Sequence, residues 1–191
     1  MISKDEFIIS MVARYNEQKS HNLFINSINL LKKKSKFKFK ILLVGSGINA
    51  NNQKLFNTIK KFNLDHTIIL LDYINDLNAI YNASDLLVLP SKYGESFPNV
   101  IAEAMMCGVK CISNDIGEAK KIINKYGVII KDINEEKLYN SIKNELMILK
   151  MLSDLEKKNQ RYLHREHIKK NFDIVNITNK YINLWSNKNI I

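Results

Sequence analysis

Short apolar runs alternate with longer amphipathic segments along the whole chain. Runs rich in Ile, Leu and Val predict β-strands that are buried on both faces of a sheet. Such runs cover 8–13, 39–44, 67–71, 86–89, 110–113 and 127–130. Helices are predicted over 20–34, from 98 to a helix end at 108, and over 118–124, 134–159 with a break near 153, 160–170 and 174–186. This alternation predicts an α/β fold with a parallel sheet.

The predicted unit is a single domain over residues 1–191, with a Rossmann-like, doubly wound sheet and C-terminal helices from about residue 160. The chain has 191 residues, of which 46% are apolar, enough for one well-buried core and too few for two ordinary domains. No apolar run approaches the roughly 18 residues of a membrane-spanning helix. Asp5 and Glu6 stand where a secretory signal would be basic and then apolar, so we expect a cytoplasmic protein.

The formal net charge of +10 raises nucleic acid as a partner. Only three of the 29 basic residues are arginine, whereas nucleic-acid-binding surfaces concentrate arginine and aromatic residues on one face. Lys, Asn and Ile are abundant on every kind of segment, as AT-rich coding sequence produces, and nucleic acid is not an expected partner. The run KKKSKFKFK at 32–40 predicts a solvated edge at a helix end. The alternative is peripheral contact with an anionic inner membrane surface.

The sequence offers no set of residues with the spacing of a metal site. The histidines are expected to be scattered or exposed, and the two cysteines to be buried, reduced thiols. They are His21, His66, His164, His167, Cys107 and Cys111. No Asp-x-Asp pair occurs to hold a metal on a diphosphate, so no metal and no cofactor is expected.

The segment GESFPNVIAEAM at 94–105 follows a buried strand and opens a helix. Pro98 suits the first helical turn because its φ is already helical, and Ser96 is the expected N-cap. A helix that starts at the carboxyl end of a parallel strand directs free N–H groups and partial positive charge at the cleft. Glu103 has apolar neighbours and is expected to be a buried carboxylate that needs a hydrogen-bonding partner. On spacing alone, Glu95 could equally be a solvated loop acid, and Glu103 could pair with a lysine.

Other strand ends carry further candidates. Arg14 and Lys19 follow the first strand; in a chain whose default cation is lysine, Arg14 suggests a planar, bidentate phosphate donor, with an ordinary surface arginine as the alternative. Gly45 and Gly47 form a glycine turn after the second strand that lets backbone approach a ligand.

The segment at 94–105, with CGV at 107–109 and SNDIG at 113–117, resembles the donor-site signature of the retaining family 4 (group 1) glycosyltransferases, which have the GT-B fold. The resemblance implies that Glu95 contacts the donor sugar, and that Arg14 and Lys19 neutralise the leaving diphosphate. It implies that Glu103 binds the ribose. It also implies that residues 73–75, after the third strand, contact the base, with a structural role as the alternative for them. The remaining donor-binding candidates are Gly45, Gly47, Tyr73, Asn75, Ser96, Phe97, Asn99 and Val100.

The resemblance covers residues 6–187 and only the donor half of such enzymes, whose acceptor binds to an N-terminal domain. It implies retaining transfer from a nucleoside-diphosphate sugar to a glycan or lipid-linked acceptor in polysaccharide biosynthesis, with an N-terminal-half domain or subunit as partner. An excised domain, a split-enzyme subunit and a nucleotide-sugar-binding module without stand-alone activity all remain open. A sugar-nucleotide epimerase of related fold is a further rival.

Overall fold

In the computed structural model, which describes residue 3 and residues 5–186, six strands and eight α-helices follow one another. The strands are β1 (Phe7–Val12), β2 (Phe39–Val44), β3 (Ile68–Leu71), β4 (Leu86–Leu89), β5 (Lys110–Asn114) and β6 (Val128–Ile130). The helices are α1 (His21–Lys34), α2 (Gln53–Lys61), α3 (Asn78–Ala83), α4 (Asn99–Met106), α5 (Ala119–Ile123), α6 (Glu135–Met151), α7 (Asp154–Phe172) and α8 (Ile174–Ser186). The outermost residues of the predicted domain (1, 2, 4 and 187–191) lie outside the described residues.

All six strands form one parallel sheet in the order β3-β2-β1-β4-β5-β6. Strand order therefore reverses between β1 and β4, and the crevice outside a reversal of this kind is where doubly wound folds bind ligands. The predicted doubly wound, Rossmann-like sheet is confirmed.

Each face of the sheet is covered by its own set of helices. On one face, α1, α2 and α6 pack against alternate strand residues such as Ile9 and Ile41. On the other, α3, α4, α5 and α7 pack against residues such as Leu42 and Leu87. The central strands read as continuous apolar runs because both of their faces are buried.

Strand predictions agree with the structure within one or two residues, but the helix prediction near the C-terminus is wrong. The predicted break near residue 153 is present, because α6 ends at Met151. The chain from 154 to 172 is then one helix rather than two. Its start is a capping box: the Glu156 N–H donates to Ser153 Oγ, and the Ser153 N–H donates to the Glu156 carboxylate. Helices α2 and α3 were not predicted from the sequence.

The histidines were expected to be scattered or exposed, and three of the four are not exposed. His21, His164 and His167 are buried, and only His66 is exposed. The carbonyl oxygen of Gly108 lies 3.1 Å from His164 Nδ1, and that of Ile122 lies 2.9 Å from His167 Nε2. Both rings therefore connect α7 to the backbone of neighbouring segments. Cys111 is buried as expected, whereas Cys107 is only half-buried, and both are free thiols.

Helix α7 holds the carboxyl end of α4. Arg161 Nη2 donates to the Cys107 carbonyl at 3.1 Å, and Arg165 Nε donates to the Met106 carbonyl at 3.0 Å. Gly108, with φ of +85°, ends α4 so close to α7 that an added Cβ would lie 2.7 Å from the Arg161 Cβ. The last carbonyls of a helix are unpaired and partly negative, so two arginines there both pair and stabilise them.

The surface carries a basic edge and an apolar helix. Lys32, Lys33 and Lys34 at the end of α1 are exposed, as predicted for a solvated edge. Most apolar residues of α8 are exposed, among them Ile174, Tyr181, Leu184 and Trp185, whereas Ile177 is partly buried. Within the described chain, no helix is both long and apolar enough to cross a membrane.

His21 makes folding sensitive to acid. The pKa of His21 is lowered from 6.5 to about 4, chiefly because the ring is buried and to a smaller extent because Lys19 is nearby. Between these two values the unfolded chain binds a proton that the folded protein does not. The free energy of unfolding should therefore decrease by about 3 kcal/mol as the pH falls from about 6.5 to about 4. Urea unfolding at several pH values should give a flatter stability profile for His21→Phe than for the parent. Parallel profiles would contradict this account.

Candidate functional site

A cleft of about 480 Å³ opens where β1, β2 and β4 end. We call it the central cleft. Eight of the twelve predicted site residues line it: Arg14, Lys19, Gly45, Tyr73, Glu95, Phe97, Asn99 and Val100. These residues come from the loops after four different strands. The cleft thus occupies the position expected from the strand order.

A second depression of about 470 Å³ lies beside the cleft, and we call it the side pocket. It holds two more predicted residues, Asn75 and Glu103. Leu77 contributes to both cavities, which are therefore adjacent.

Glu95, in the lining of the central cleft, is held by two side chains. Its Oε1 accepts a hydrogen bond from Ser91 Oγ at 2.7 Å and forms an ion pair with Lys19 Nζ. Both side chains of the ion pair are largely buried, with 16% of Lys19 and 10% of Glu95 exposed. No described residue donates a hydrogen bond to Oε2 of Glu95. One carboxylate oxygen is therefore committed to the protein and the other is free.

Backbone contacts connect the loops that carry these side chains. The Lys92 N–H donates to the Gln18 carbonyl at 2.8 Å, which joins the β4–α4 loop to the β1–α1 loop. The Tyr15 N–H donates to the Ser46 carbonyl at 2.8 Å, so pairing continues past the end of β1. At Gly45 an added Cβ would lie 2.4 Å from the Ala13 carbonyl oxygen, and only glycine permits this approach.

Helix α4 begins at the cleft with free donors. Asn99 and Val100 line the cleft, and their N–H groups have no acceptor among the described residues. The residue at the N-cap is Pro98, which makes no side-chain cap. This helix start, with partial positive charge and unpaired N–H groups, is suited to an anion. Arg14, exposed on the same cleft, adds a full positive charge.

The predicted N-cap role of Ser96 is wrong. The helix starts two residues later than a Ser96 cap requires, and Pro98 lies before the first turn rather than in it. Ser96 is exposed and outside the cleft lining, while its carbonyl accepts the Glu118 N–H at 2.9 Å. Gly47 also lies outside the lining, and its N–H donates to the Asp72 carboxylate at 3.2 Å.

The expectation that Glu103 is buried is wrong as well. Glu103 is exposed in the side pocket, because the buried face of α4 is formed by Ile101, Ala104 and Met105. It does have a hydrogen-bonding partner: the Tyr81 hydroxyl donates to its Oε2 at 2.8 Å. No ion pair among the described residues includes Glu103.

Several residues that shape the site were assigned no role from the sequence. Ser91 and Tyr81 donate to the two glutamates. Gly117, with φ of +50°, lies so close under the β4–α4 loop that an added Cβ would be 2.3 Å from the Glu95 carbonyl oxygen. Phe172, at the end of α7, packs on Phe97 with ring centroids 5.6 Å apart. Gly117 lies inside the SNDIG segment at 113–117, which is part of the family resemblance.

No group of three or more His, Cys, Asp and Glu side chains within the described residues is arranged to hold a metal ion. The charged groups of the cleft are instead Arg14 and the pair of Lys19 and Glu95. The chemistry available to the cleft residues is therefore hydrogen bonding and charge stabilisation of an anionic, hydroxyl-bearing ligand.

Two bacterial enzymes are similar to this chain in sequence. UDP-Gal:alpha-D-GlcNAc-diphosphoundecaprenol alpha-1,3-galactosyltransferase of Escherichia coli is 29% identical over 136 residues, covering 70% of this chain and 35% of that enzyme. The Campylobacter jejuni N-acetylgalactosamine-N,N'-diacetylbacillosaminyl-diphospho-undecaprenol 4-alpha-N-acetylgalactosaminyltransferase is 26% identical over 146 residues. That match covers 75% of this chain and 38% of that enzyme. The matches cover well under half of these relatives' own length.

Solved structures match the fold over nearly the whole chain. A glycosyltransferase from Rickettsia africae matches with a TM-score of 0.84 and 24% identity, covering 96% of this chain and 48% of that one. HepE of Anabaena, solved with UDP and glucose, matches with a TM-score of 0.78 and 21% identity, covering 95% of this chain and 48% of HepE. The fold is thus one half of a GT-B architecture. The family model described as "Glycosyl transferases group 1" matches residues 1–162, and the chain belongs to that family.

Proposed function

We propose that this chain binds a nucleoside-diphosphate sugar as the donor half of a retaining glycosyltransferase that acts on a glycan or lipid-linked acceptor. The observation that carries the proposal is the arrangement of Glu95 and Glu103. Each has one oxygen held by the protein and one that no described residue donates to, and the cavities in which they lie are adjacent. The open start of α4 lines the same cleft as Glu95.

The diphosphate belongs at the start of α4. The free N–H groups of Asn99 and Val100 can donate to phosphate oxygens, and the guanidinium of Arg14 can bind two oxygens at once. During transfer, negative charge grows on the leaving diphosphate, and donors already in place stabilise that charge without reorganisation. This role requires no bond between the protein and the sugar.

The sugar belongs at Glu95. Its free oxygen can accept hydrogen bonds from sugar hydroxyls, while Lys19 compensates the charge of the carboxylate. That compensation matters because a bare carboxylate beside a diphosphate would repel it. We therefore assign two roles to Lys19: it binds the diphosphate, as the family resemblance implies, and it holds Glu95 in place.

The ribose belongs at Glu103. The chain has 29 basic residues, yet this exposed carboxylate is in none of the ion pairs of the described chain. A carboxylate held by a neutral hydroxyl suits a neutral, hydroxyl-bearing ligand such as a ribose diol. The exposed Tyr73 and nearby Asn75 are then candidates for the base.

The acceptor requires a second domain. The chain covers 48% of the similar solved structures, and the exposed apolar residues of α8 offer a surface for an N-terminal-half domain or subunit. The two named relatives act, by their names, on diphosphoundecaprenol-linked sugars. A lipid-linked acceptor and work at an inner membrane surface are proposed for this protein by extension. A binding module without activity of its own is the alternative.

Calorimetric titration with a panel of UDP, GDP, ADP and their glucose conjugates tests the proposal. One nucleoside diphosphate should bind, and its sugar conjugate should bind as well. If none of the panel binds to the folded protein, the proposal is wrong. Sugar transfer that appears only after addition of an N-terminal-half polypeptide would separate a split enzyme from a binding module, because acceptor positioning can supply about 7–11 kcal/mol of the barrier.

Substitution of the two glutamates should have different effects. Glu103→Ala removes a ribose partner and should weaken binding of the nucleoside diphosphate ten- to a hundredfold, about 1.5–3 kcal/mol. Glu95→Ala should weaken binding of the sugar conjugate and leave the free diphosphate almost unaffected. Glu166→Ala, an exposed glutamate on α7, is the control. Unchanged affinity of folded Glu103→Ala would remove the ribose assignment.

Arg14→Lys separates phosphate binding from base binding. The substitution keeps the charge but loses the planar pair of donors, so the diphosphate should bind several-fold more weakly while the nucleoside binds as before. Titration with nucleoside and nucleoside diphosphate measures both. Equal losses for the two ligands would place Arg14 outside the phosphate site.

Gly117→Ala should displace the loop that carries Glu95, because its added Cβ would lie 2.3 Å and 2.5 Å from the Glu95 and Ser96 carbonyl oxygens. We expect the sugar conjugate to lose more than about tenfold in affinity. Gly127→Ala is a matched control, with an added Cβ 2.3 Å from the Cys111 carbonyl oxygen, away from the cleft lining. Circular dichroism should establish that both variants are folded at the temperature used. A folded Gly117→Ala protein with parental affinity for the sugar conjugate would refute the bracing role.

A further inference from the structure

Tyr81 connects the core of the protein to the side pocket. It lies on α3 and is only 2% exposed, with its ring packed among the residues between the sheet and α4. Its hydroxyl donates a hydrogen bond to Glu103 Oε2 at 2.8 Å, and this is its one hydrogen bond among the described residues. The buried phenol thus contacts the carboxylate that we assign to the ribose.

Tyr81 is always the donor in its hydrogen bond with Glu103. Burial, together with the adjacent Glu103 carboxylate, raises the pKa of Tyr81 far above its usual range. The phenol therefore keeps its proton at any pH at which the protein is used, and it remains the donor to Oε2. The other oxygen of Glu103 has no protein donor in the described chain.

The chemistry of the carboxylate explains why this restraint is useful. A glutamate on a helix surface can adopt many rotamers, and binding a ligand then costs the entropy of ordering it. A hydrogen bond from a rigid, buried ring selects one position before the ligand arrives. A neutral phenol also leaves the negative charge of Glu103 uncompensated, so the free oxygen remains a strong acceptor for hydroxyl groups.

We propose that Tyr81 is a positioning residue that orients Glu103 toward the ribose diol and thereby makes the site selective for ribonucleotides over 2′-deoxyribonucleotides. The inference rests on the proposed ribose role of Glu103. A deoxyribose would leave acceptor capacity of the carboxylate unused, and sites built to hydrogen-bond a hydroxyl discriminate strongly against ligands that lack it.

The test uses Tyr81→Phe, which removes the hydroxyl and keeps the ring. The probes are the diphosphate that binds best among UDP, GDP and ADP, and its 2′-deoxy form. The parent should prefer the ribonucleotide by roughly tenfold or more. Tyr81→Phe should reduce that preference to about twofold, chiefly by weakening the ribonucleotide. Tyr139→Phe, which alters a tyrosine that is 5% exposed in the opposite core, should keep the parental preference.

Each outcome has a distinct meaning. If Tyr81 only fills space, Tyr81→Phe changes the affinity of both nucleotides by the same factor and the preference is retained, which overturns the inference. A parent protein that binds both forms equally also overturns it. If no nucleoside diphosphate binds the parent at all, the proposed function itself fails. Glu103→Gln with retained Tyr81 should lose the preference in the same way as Tyr81→Phe, and a retained preference there contradicts the inference.

Discussion

The geometry of the site depends on how α4 is fixed in place. Its carboxyl end is held by Arg161 and Arg165 of α7, and the carbonyl of Gly108 lies against His164. Its amino end is left without a side-chain cap and opens into the cleft. Anchoring one end of a helix while exposing the other places its unpaired donors at a defined position. Glu103, one turn into the helix, is positioned by the same constraint.

The cleft is preorganised by contacts that cross between loops. The ion pair of Lys19 with Glu95, the bond from the Lys92 N–H to the Gln18 carbonyl and the close approach of Gly117 restrain the β4–α4 loop from different sides. A ligand that enters such a cleft does not have to order the loop, so less of its binding energy is lost to conformational entropy. Phe172 extends these restraints to the corner between α7 and α8.

Much of the fold and part of the site could be predicted from the sequence. The continuous apolar runs identified the six strands, and strand ends such as those before Arg14 and Glu95 identified the cleft, because parallel strands end at one edge. The burial of Glu103 was mispredicted because apolar residues adjoin it on both sides in sequence, whereas only one face of α4 is buried. Tyr81 could not be found, since its partner lies 22 residues away on another helix and no local pattern records that pairing.

The two glutamates differ in the charge of the group that holds them, and this difference suits the two proposed sites. Glu95 faces the cleft that Arg14 and the α4 start make favourable to an anion, and its ion pair with Lys19 lowers the repulsion a diphosphate would meet there. Glu103 lies in the side pocket and is held by the neutral Tyr81, so it keeps its charge for hydrogen bonding. A lysine in place of Tyr81 would leave a weaker acceptor for a diol, and a tyrosine in place of Lys19 would leave an uncompensated carboxylate beside a diphosphate. The identity of each partner therefore follows from which part of the ligand its glutamate is proposed to meet.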